Sequence, residues 1–489
     1  MERLTEILDT IDSFIWGPFL LIPLLLGTGL WLTIRLRGIQ FRKLGSALWL
    51  ALIKRSDDGT EDQKHGDISQ YQALTTALAA TVGTGNIVGV ATAISIGGPG
   101  ALFWMWVTGL LGMASKYSEA FMAVRFRHRD KHGDITGGPQ YYLKDAISGR
   151  FGTFLATFFS VAAAIAAFGI GNGTQANSIA NNVENSFGVP LWVTGVVLVL
   201  ITMAVLIGGI QSIGKVTAGL VPVMIVVYVT AAIVLLCLNV TAIPSAFAEV
   251  FRTAFTGQAA VGGFTGSVFI IALQMGTARG IFSNESGMGS AAIAAAAAKT
   301  THPTRQGLVS MTQTFIDTII VVTMTGLVLI VTGTWQEGRS AAATMTSKAF
   351  DVGLGVSWGH YIVTISLVLF AYSTILGWCY YGERNIEKLF GHSWVMAYRV
   401  VFSLAVFVGC TVELGLVWTF SDIANGLMAL PNLIGLLICS GLIARETNYY
   451  LDHDPSLRAG KAEVDEFMAG RPGAIDAHWN RVKQTAVHR

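Results

Sequence analysis

Thr81-Val-Gly-Thr-Gly-Asn-Ile-Val-Gly-Val90 sets three glycines and an asparagine inside an otherwise apolar run. Such residues are costly in hydrocarbon unless neighbouring protein or a bound solute satisfies the backbone groups they set free. A break of this kind has a definite chemistry: half-helix N-termini offer N–H donors to an anion, and unwound carbonyls offer oxygen to a cation. A second polar, glycine-rich stretch, Gln274-Met-Gly-Thr-Ala-Arg-Gly280, interrupts a later apolar run too long for one straight span. Helix packing through Gly85 and Gly89, spaced as small-xxx-small, is the competing reading of the first stretch, and both can hold together. A dinucleotide fingerprint fails, because the spacing is G-x-G-x-x-x-G and no strand precedes it.

Further polar side chains stand inside apolar runs. Asn172 and Gln175, in Gly169-Ile-Gly-Asn-Gly-Thr-Gln175, need a cavity or an interhelical partner. Plain helix-to-helix hydrogen bonding accounts for Gln175 equally well and for Asn177 better. Lys116, Glu119, Arg279, Glu285 and Asp317 are charged residues within spans and so functional candidates. Lys116 and Glu119 are three apart, and a local ion pair is the economical account. Arg279 and Glu285 flank the inner half of the second interruption, where they pair with each other or with a gate partner. Asp317 has no obvious sequence neighbour, and any of the three acids could serve as a proton relay. His302 falls in a loop and needs no special role. Cys237, Cys379, Cys410 and Cys439 lie far apart in apolar runs, with neither disulfide nor metal spacing. With no nucleophile–base pair, phosphate loop or metal cluster, the chain does not read as an enzyme.

The elements that position these residues are apolar helices. Charged residues make up only 13% and hydrophobic residues 52%, with mean hydropathy +0.57, against about 25% charged in soluble domains. From Phe151 to Ala248 the only charged side chains are Glu184 and Lys215, which excludes a soluble protein. A net charge of +2 gives no field for nucleic acid. Eleven runs of spanning length lie at 16–36, 69–97, 101–124, 152–180, 191–208, 216–238, 264–298, 307–332, 358–382, 395–412 and 418–443. Of the 32 Lys and Arg, all but Lys116 and Arg279 fall in loops or at the ends of runs, and on alternate sides these carry twenty-six and four. This asymmetry predicts an outside N-terminus and a cytoplasmic C-terminus. The acidic start, with Glu2, Glu6, Asp9 and Asp12, contradicts a secretory signal peptide. The domain plan is one all-α membrane domain over 1–444 and a short cytoplasmic tail over 445–489. With the first helix set aside, the two interrupted helices stand first and sixth of ten. An odd offset inverts the second half, giving inverted repeats at about 69–238 and 264–443, and paired interruptions point to a transporter binding site.

TTALAATVGTGNIVGVATA in the second helix, ARGIFSNESGMGS in the seventh and GGPQYYL at Gly137–Leu143 resemble the sodium:alanine symporter family, the alanine or glycine:cation symporters of the amino acid-polyamine-cation group. The resemblance implies a LeuT-type fold with one extra N-terminal helix, in an inner membrane. The wider fold's V-G-x-G-N pattern falls on Val82–Asn86. It implies that the N–H groups of Thr84 and Gly85 meet the substrate carboxylate. It also implies a sodium ion held by the carbonyls of Ala79, Val82 and Phe370 and the hydroxyls of Ser373 and Thr374. Ser373 and Thr374 bonding back to their own helix is the plainer alternative. A second sodium site in that pattern uses the Thr81 carbonyl and the Asn86 side chain. Substrate contacts are expected from Gln274, Met275, Gly276 and Thr277 at the seventh-helix break, from Asn172 and Gln175, and from Trp378 as a wall.

The expectation is a sodium-coupled symporter importing a small neutral amino acid, alanine or glycine, by alternating access. A proton-coupled carrier of the same fold is the first rival. An ion channel or a substrate-sensing receptor is the second, lacking a visible filter or signalling domain.

Overall fold

The computed structural model describes residues 2–17, 19–57, 66–131, 133–256, 265–412 and 415–470. The main helices are α1 Glu2–Ile15, α2 Leu21–Arg35, α3 Gln70–Thr81, α4 Val88–Gly97, α5 Gly100–Arg125, α6 Gly149–Phe187, α7 Leu191–Leu206, α8 Gly209–Leu238, α9 Ile243–Thr256, α10 Thr265–Asn284, α11 Ser290–Ala296, α12 Pro303–Val331, α13 Ala342–Leu354, α14 Gly359–Phe390, α15 Val395–Thr411, α16 Gly415–His453 and α17 Lys461–Met468. A two-stranded antiparallel hairpin, β1 His128–Arg129 and β2 Ile135–Thr136, pairs His128 with Thr136.

Six of the described helices, or seven if α3 and α4 count as one bent span, are long and apolar enough to cross a membrane. The central helix α14 is largely buried in that apolar stretch, whereas α8 turns Val223, Val226, Val227, Ile233 and Val234 outward. Large aliphatics on an outer face are stable against lipid and unfavourable against water. The molecule is a multi-pass helical membrane protein.

Ser69 starts α3 with a reciprocal capping box, its hydroxyl accepting from the Gln72 N–H and its own N–H donating to the Gln72 side chain. The helix stops at Val82, and a turn over Thr84–Asn86 redirects the chain by 63° into α4.

The second interruption is not where sequence placed it. Gln274–Gly280 lies within the unbroken α10, and the chain leaves helix at Glu285–Gly289. There Glu285, Gly287 and Gly289 take φ of 53°, 91° and 83°, the left-handed region that glycine enters freely. Gly276 and Gly280 serve packing instead. A Cβ on Gly276 would lie 2.3 Å from the Ala101 carbonyl oxygen, and one on Gly280 would lie 2.4 Å from Thr108 Oγ1, so glycine lets α10 press against α5.

Past residue 444, α16 runs on to His453, and Tyr450, Leu457 and Val464 are buried. The remainder of the expected tail, 471–489, and position 264 of the second repeat lie outside the described residues. Nor is His302 a featureless loop residue. It is 4% exposed, accepts from the Thr304 N–H to cap α12, and stacks on Tyr450 with centroids 3.8 Å apart. Burial, then neighbouring Arg305, pushes its pKa down from 6.5 to about 3. Arg305 itself is enclosed. It donates to Asp57 Oδ1 at 2.6 Å, Asp454 Oδ2 at 3.0 Å, Tyr450 Oη at 2.8 Å and the Ala459 carbonyl at 2.6 Å.

Candidate functional site

At the first break five of the expected groups converge. The Thr374 hydroxyl donates to the Ala79 carbonyl at 3.0 Å, the Val82 carbonyl at 3.5 Å and the Phe370 carbonyl at 3.0 Å. Ser373 donates to Ala79 at 3.2 Å and to Phe370 at 2.8 Å. All five residues are buried. The hydroxyls therefore bond back to their own helix and also reach across to the unwound end of α3. Three carbonyl and two hydroxyl oxygens, without a formal charge among them, form a hard-oxygen cluster of the sort that suits a small hard cation. Close approach requires glycine: a Cβ at Gly83 would stand 2.5 Å from Thr374 Oγ1 and 3.1 Å from Gln175 Oε1, and one at Gly377 would stand 2.8 Å from the Ala80 backbone.

Gln175 faces the break, accepting from the Thr84 N–H at 3.2 Å and donating to the Ile170 carbonyl at 3.0 Å across a widened turn of α6. Gly85 sits where α3–α4 meets the end of α10. A Cβ there would lie 3.1 Å from the Phe282 ring and 3.3 Å from Ser283 Cα. Asn172, expected at the substrate, donates to the Phe402 carbonyl at 2.7 Å, and Asn177 donates to that of Gly409 at 3.3 Å, bridging helices as the plainer reading of Asn177 had it.

Asn86 closes its own turn by accepting from the Gly83 N–H at 2.9 Å, and its amide donates to Asp317 Oδ1 at 2.7 Å. Asp317 Oδ2 accepts from Ser283 at 2.9 Å and Thr318 at 2.8 Å. Asp317, solitary in sequence, thus ties the first break to the end of α10. The Thr81 hydroxyl bonds within α3, to the Ala77 carbonyl, and accepts from Gln313.

The second break is lined differently. Lys116 pairs with Glu119 at 3.6 Å and donates to the Glu285 carbonyl at 2.8 Å. Glu119 accepts from the Gly289 N–H and from Asn432, which also donates to the Gly287 carbonyl. Glu285 takes the Trp378 indole N–H at 2.8 Å and the Ser290 hydroxyl, and among the described residues it forms no ion pair with Arg279. Trp378 is a wall of this break, held against Gly171, where a Cβ would meet it at 2.2 Å. The Gly137–Leu143 segment cradles the same place, with Pro139 against Gly289 and Tyr142 donating to Asn432. Sequence reasoning missed Ser283, Asn432 and the Glu285–Gly289 turn. The pair of glycines in Asn284-Glu-Ser-Gly-Met-Gly289 was the available signal.

Of the four residues expected at the seventh-helix break, Gly276 and Thr277 are buried in the α10 packing, while Gln274 and Met275 line a separate cavity with Arg279. Among the described residues, Asp130, Glu387 and His392 are close enough to share a metal ion. Glu387 is already engaged by Arg384 at 2.8 Å.

Two helix breaks inside an apolar bundle, the first of them at a buried oxygen cluster, are the construction of a membrane transporter. The sodium:alanine symporter family model matches residues 1–465, and the chain belongs to that family. It is 50% identical over 449 residues to the sodium/alanine symporter AgcS of Methanococcus maripaludis, covering 91% of this chain and 97% of the relative. It is 32% identical over 466 residues to the probable sodium/glutamine symporter GlnT of Bacillus subtilis, covering 95% and 94%. Among solved structures, a mutant of the Eremococcus coleocola manganese transporter aligns over 89% of this chain and 98% of its own, with a TM-score of 0.50 at 12% identity. That likeness concerns the fold alone.

Proposed function

We propose that this protein is a sodium-coupled symporter that imports a small neutral amino acid, alanine or glycine, by alternating access. The observation that carries the reading is the meeting of the Ala79, Val82 and Phe370 carbonyls with the Ser373 and Thr374 hydroxyls at the first break. Sodium entering there turns the hydroxyl lone pairs inward and ties α14 to the end of α3. The tie fixes the turn whose Thr84 and Gly85 N–H groups receive the substrate carboxylate, with Gln175 withdrawing from Thr84 as it arrives. Because such coupling is reciprocal, the substrate strengthens sodium binding by the same factor. The description of one relative as a sodium/alanine symporter supports alanine, while another is described as a probable sodium/glutamine symporter.

In this reading the chain has eleven spans of LeuT-type arrangement in an inner membrane, with the N-terminus outside and the C-terminus in the cytoplasm. The two breaks belong to inverted repeats, and the second sodium site lies beside Asn86. A proton-coupled carrier is the second reading, favoured by the buried Asp317 carboxylate between Asn86 and Ser283.

Uptake of labelled alanine and glycine into proteoliposomes, under a sodium gradient or a matched proton gradient, separates the two. Uptake with sodium alone is expected; uptake with protons alone overturns the sodium assignment. Free alanine should compete far better than its methyl ester, and equal competition would show that the carboxylate is not read.

A further inference from the structure

The corner between the short helix Pro139–Ala146 and α6 gathers positive charge at one end of the bundle. Glycine makes the corner tight: a Cβ on Gly152 would lie 2.1 Å from the Ile147 carbonyl oxygen and 2.6 Å from that of Leu143. Lys144 and Arg150 are thereby brought to one shallow recess of about 730 Å³, whose other walls are Gly149, Thr153, Phe154 and Thr157. Both cations are exposed, and among the described residues neither enters an ion pair. Asp145, the acid next in sequence, is held by His128 at 2.5 Å. Lys388, from the end of α14, lies 4.2 Å from the centroid of the Tyr141 ring and adds a third cation beside Lys144.

The recess opens onto an apolar stripe. Phe151, Phe154, Phe158, Val161 and Ile165 recur at spacings of three and four along α6 and so share one face. Phe151 and Phe154 are 52% and 60% exposed, and Val161 is 45% exposed. The Phe154 and Phe158 rings lie 5.9 Å apart. At 1.5 Å of rise per residue the stripe is about 21 Å long, enough to follow one leaflet of about 15 Å. A free phosphate would meet the cations and leave the stripe unused. A zwitterionic headgroup would bring its own cation to a recess lined by no acid. An amphiphile with a net negative head uses both parts.

We propose that this corner is a binding site for an anionic glycerophospholipid, with Lys144 and Arg150 taking the phosphate and the Phe151–Ile165 face carrying an acyl chain. Cations at the membrane surface attract anionic lipid, each contributing about fivefold in affinity. The inference goes beyond the symporter reading and does not depend on which ion or solute is carried. A lipid seated there braces the start of α6, the helix whose Gln175 faces the first break, against the end of α14, which carries Ser373 and Thr374.

The test titrates the full chain in detergent micelles with dioleoylphosphatidylglycerol or dioleoylphosphatidylcholine and counts retained lipid by native mass spectrometry. One phosphatidylglycerol is expected to stay bound under conditions that strip phosphatidylcholine. Lys144→Gln combined with Arg150→Gln should weaken that binding about thirtyfold, the product of two contacts of about fivefold each. Arg37→Gln combined with Arg42→Gln removes the same charge from two exposed cations elsewhere and should leave it unchanged. Lys144→Glu, a single change at an exposed position, provides a second variant should the pair fold poorly, and should abolish the preference for the anionic lipid. Glycerol 3-phosphate should not displace the lipid. Equal retention of the two lipids, equal loss in the Arg37–Arg42 pair, or no loss in either Lys144 variant overturns the site. Displacement by glycerol 3-phosphate makes it a free-anion site, and a lipid-free dimer that Lys144→Glu dissociates gives the face to a second copy; either overturns the lipid assignment. Uptake of labelled alanine is a separate measurement, so failure of this inference and failure of the symporter reading are told apart.

Discussion

The two helix breaks face each other across Gly85 and Ser283 yet are built from opposite materials. The oxygen cluster of the first is neutral, its polarity supplied by carbonyls, hydroxyls and one glutamine, and the one carboxylate at this break, Asp317, reaches it through Asn86. The second is dense in formal charge, with Lys116 shared between Glu119 and the Glu285 backbone and the Glu285 carboxylate held by Trp378 and Ser290. A buried ion pair has already met its desolvation cost and gains little from a further guest. A cluster of hydroxyls and carbonyls bonded mainly to one another gives up little when a cation replaces those bonds. The comparison assigns ligand exchange to the first break and rigid anchoring to the second.

The largest effect that can break this contrast is steric. Gly83→Ala puts a methyl group 2.5 Å from Thr374 Oγ1 and should abolish uptake, while the purified protein still elutes as a folded species. Normal uptake would show that the first break is not tightly packed around a guest. Next, Thr374→Ala removes a hydroxyl shared by three carbonyls. It should raise the sodium concentration for half-maximal uptake by about tenfold, the scale of one lost contact of about 1.4 kcal/mol, with little loss of folded yield. Unchanged sodium dependence would remove the assignment.

Glu119→Gln should do the reverse. It strands the Lys116 charge and should lower stability by about 3 kcal/mol, read as a fall in Tm, while uptake per folded molecule keeps its sodium dependence. An altered sodium dependence at normal Tm would make the second break a ligand site after all.

The smallest effect lies outside the membrane, at His302. Its folded pKa of about 3 is below the ordinary 6.5, so the unfolded chain binds a proton that the folded chain refuses, and stability falls as pH drops from about 6.5 toward 3. Between pH 7.5 and 5.5 the loss should be about 1.4 kcal/mol, and His302→Gln should flatten it. Burial also works against ionised Asp57, but Arg305 and Thr301 outweigh it and hold that carboxyl below its usual range, so Asp57 adds acid sensitivity only at lower pH. A flat stability profile in the parent protein would contradict the buried, neutral imidazole.

The first break was legible because Gly83, Gly85 and Asn86 stand together in an apolar run where no packing need explains all three. The resemblance then pointed to Ser373 and Thr374, which the fold brings against Ala79 and Val82. The second break was misread because glycine has two uses. Gly276 and Gly280 let α10 approach α5, whereas Gly287 and Gly289 adopt positive φ, and sequence alone does not separate close approach from left-handed backbone. Asp317 and Asn432 were opaque for another reason: their partners, Asn86 and Glu119, lie hundreds of residues away, separated by 231 and 313 positions. The short helices α9 and α13 escaped notice because neither is long enough to read as a span.

The enclosure of Arg305 has a consequence for how the protein is made. Three of its four partners, Tyr450, Asp454 and the Ala459 carbonyl, leave the ribosome 145, 149 and 154 residues after it. Until they arrive, a nascent chain holds this guanidinium with Asp57, but without the other three of the four acceptors that its burial demands. The start of α12 therefore cannot settle at its final depth during insertion of the earlier helices. Maturation waits for the segment beyond α16, and a chain terminated near residue 444 leaves an unfinished charge for cellular quality control to find.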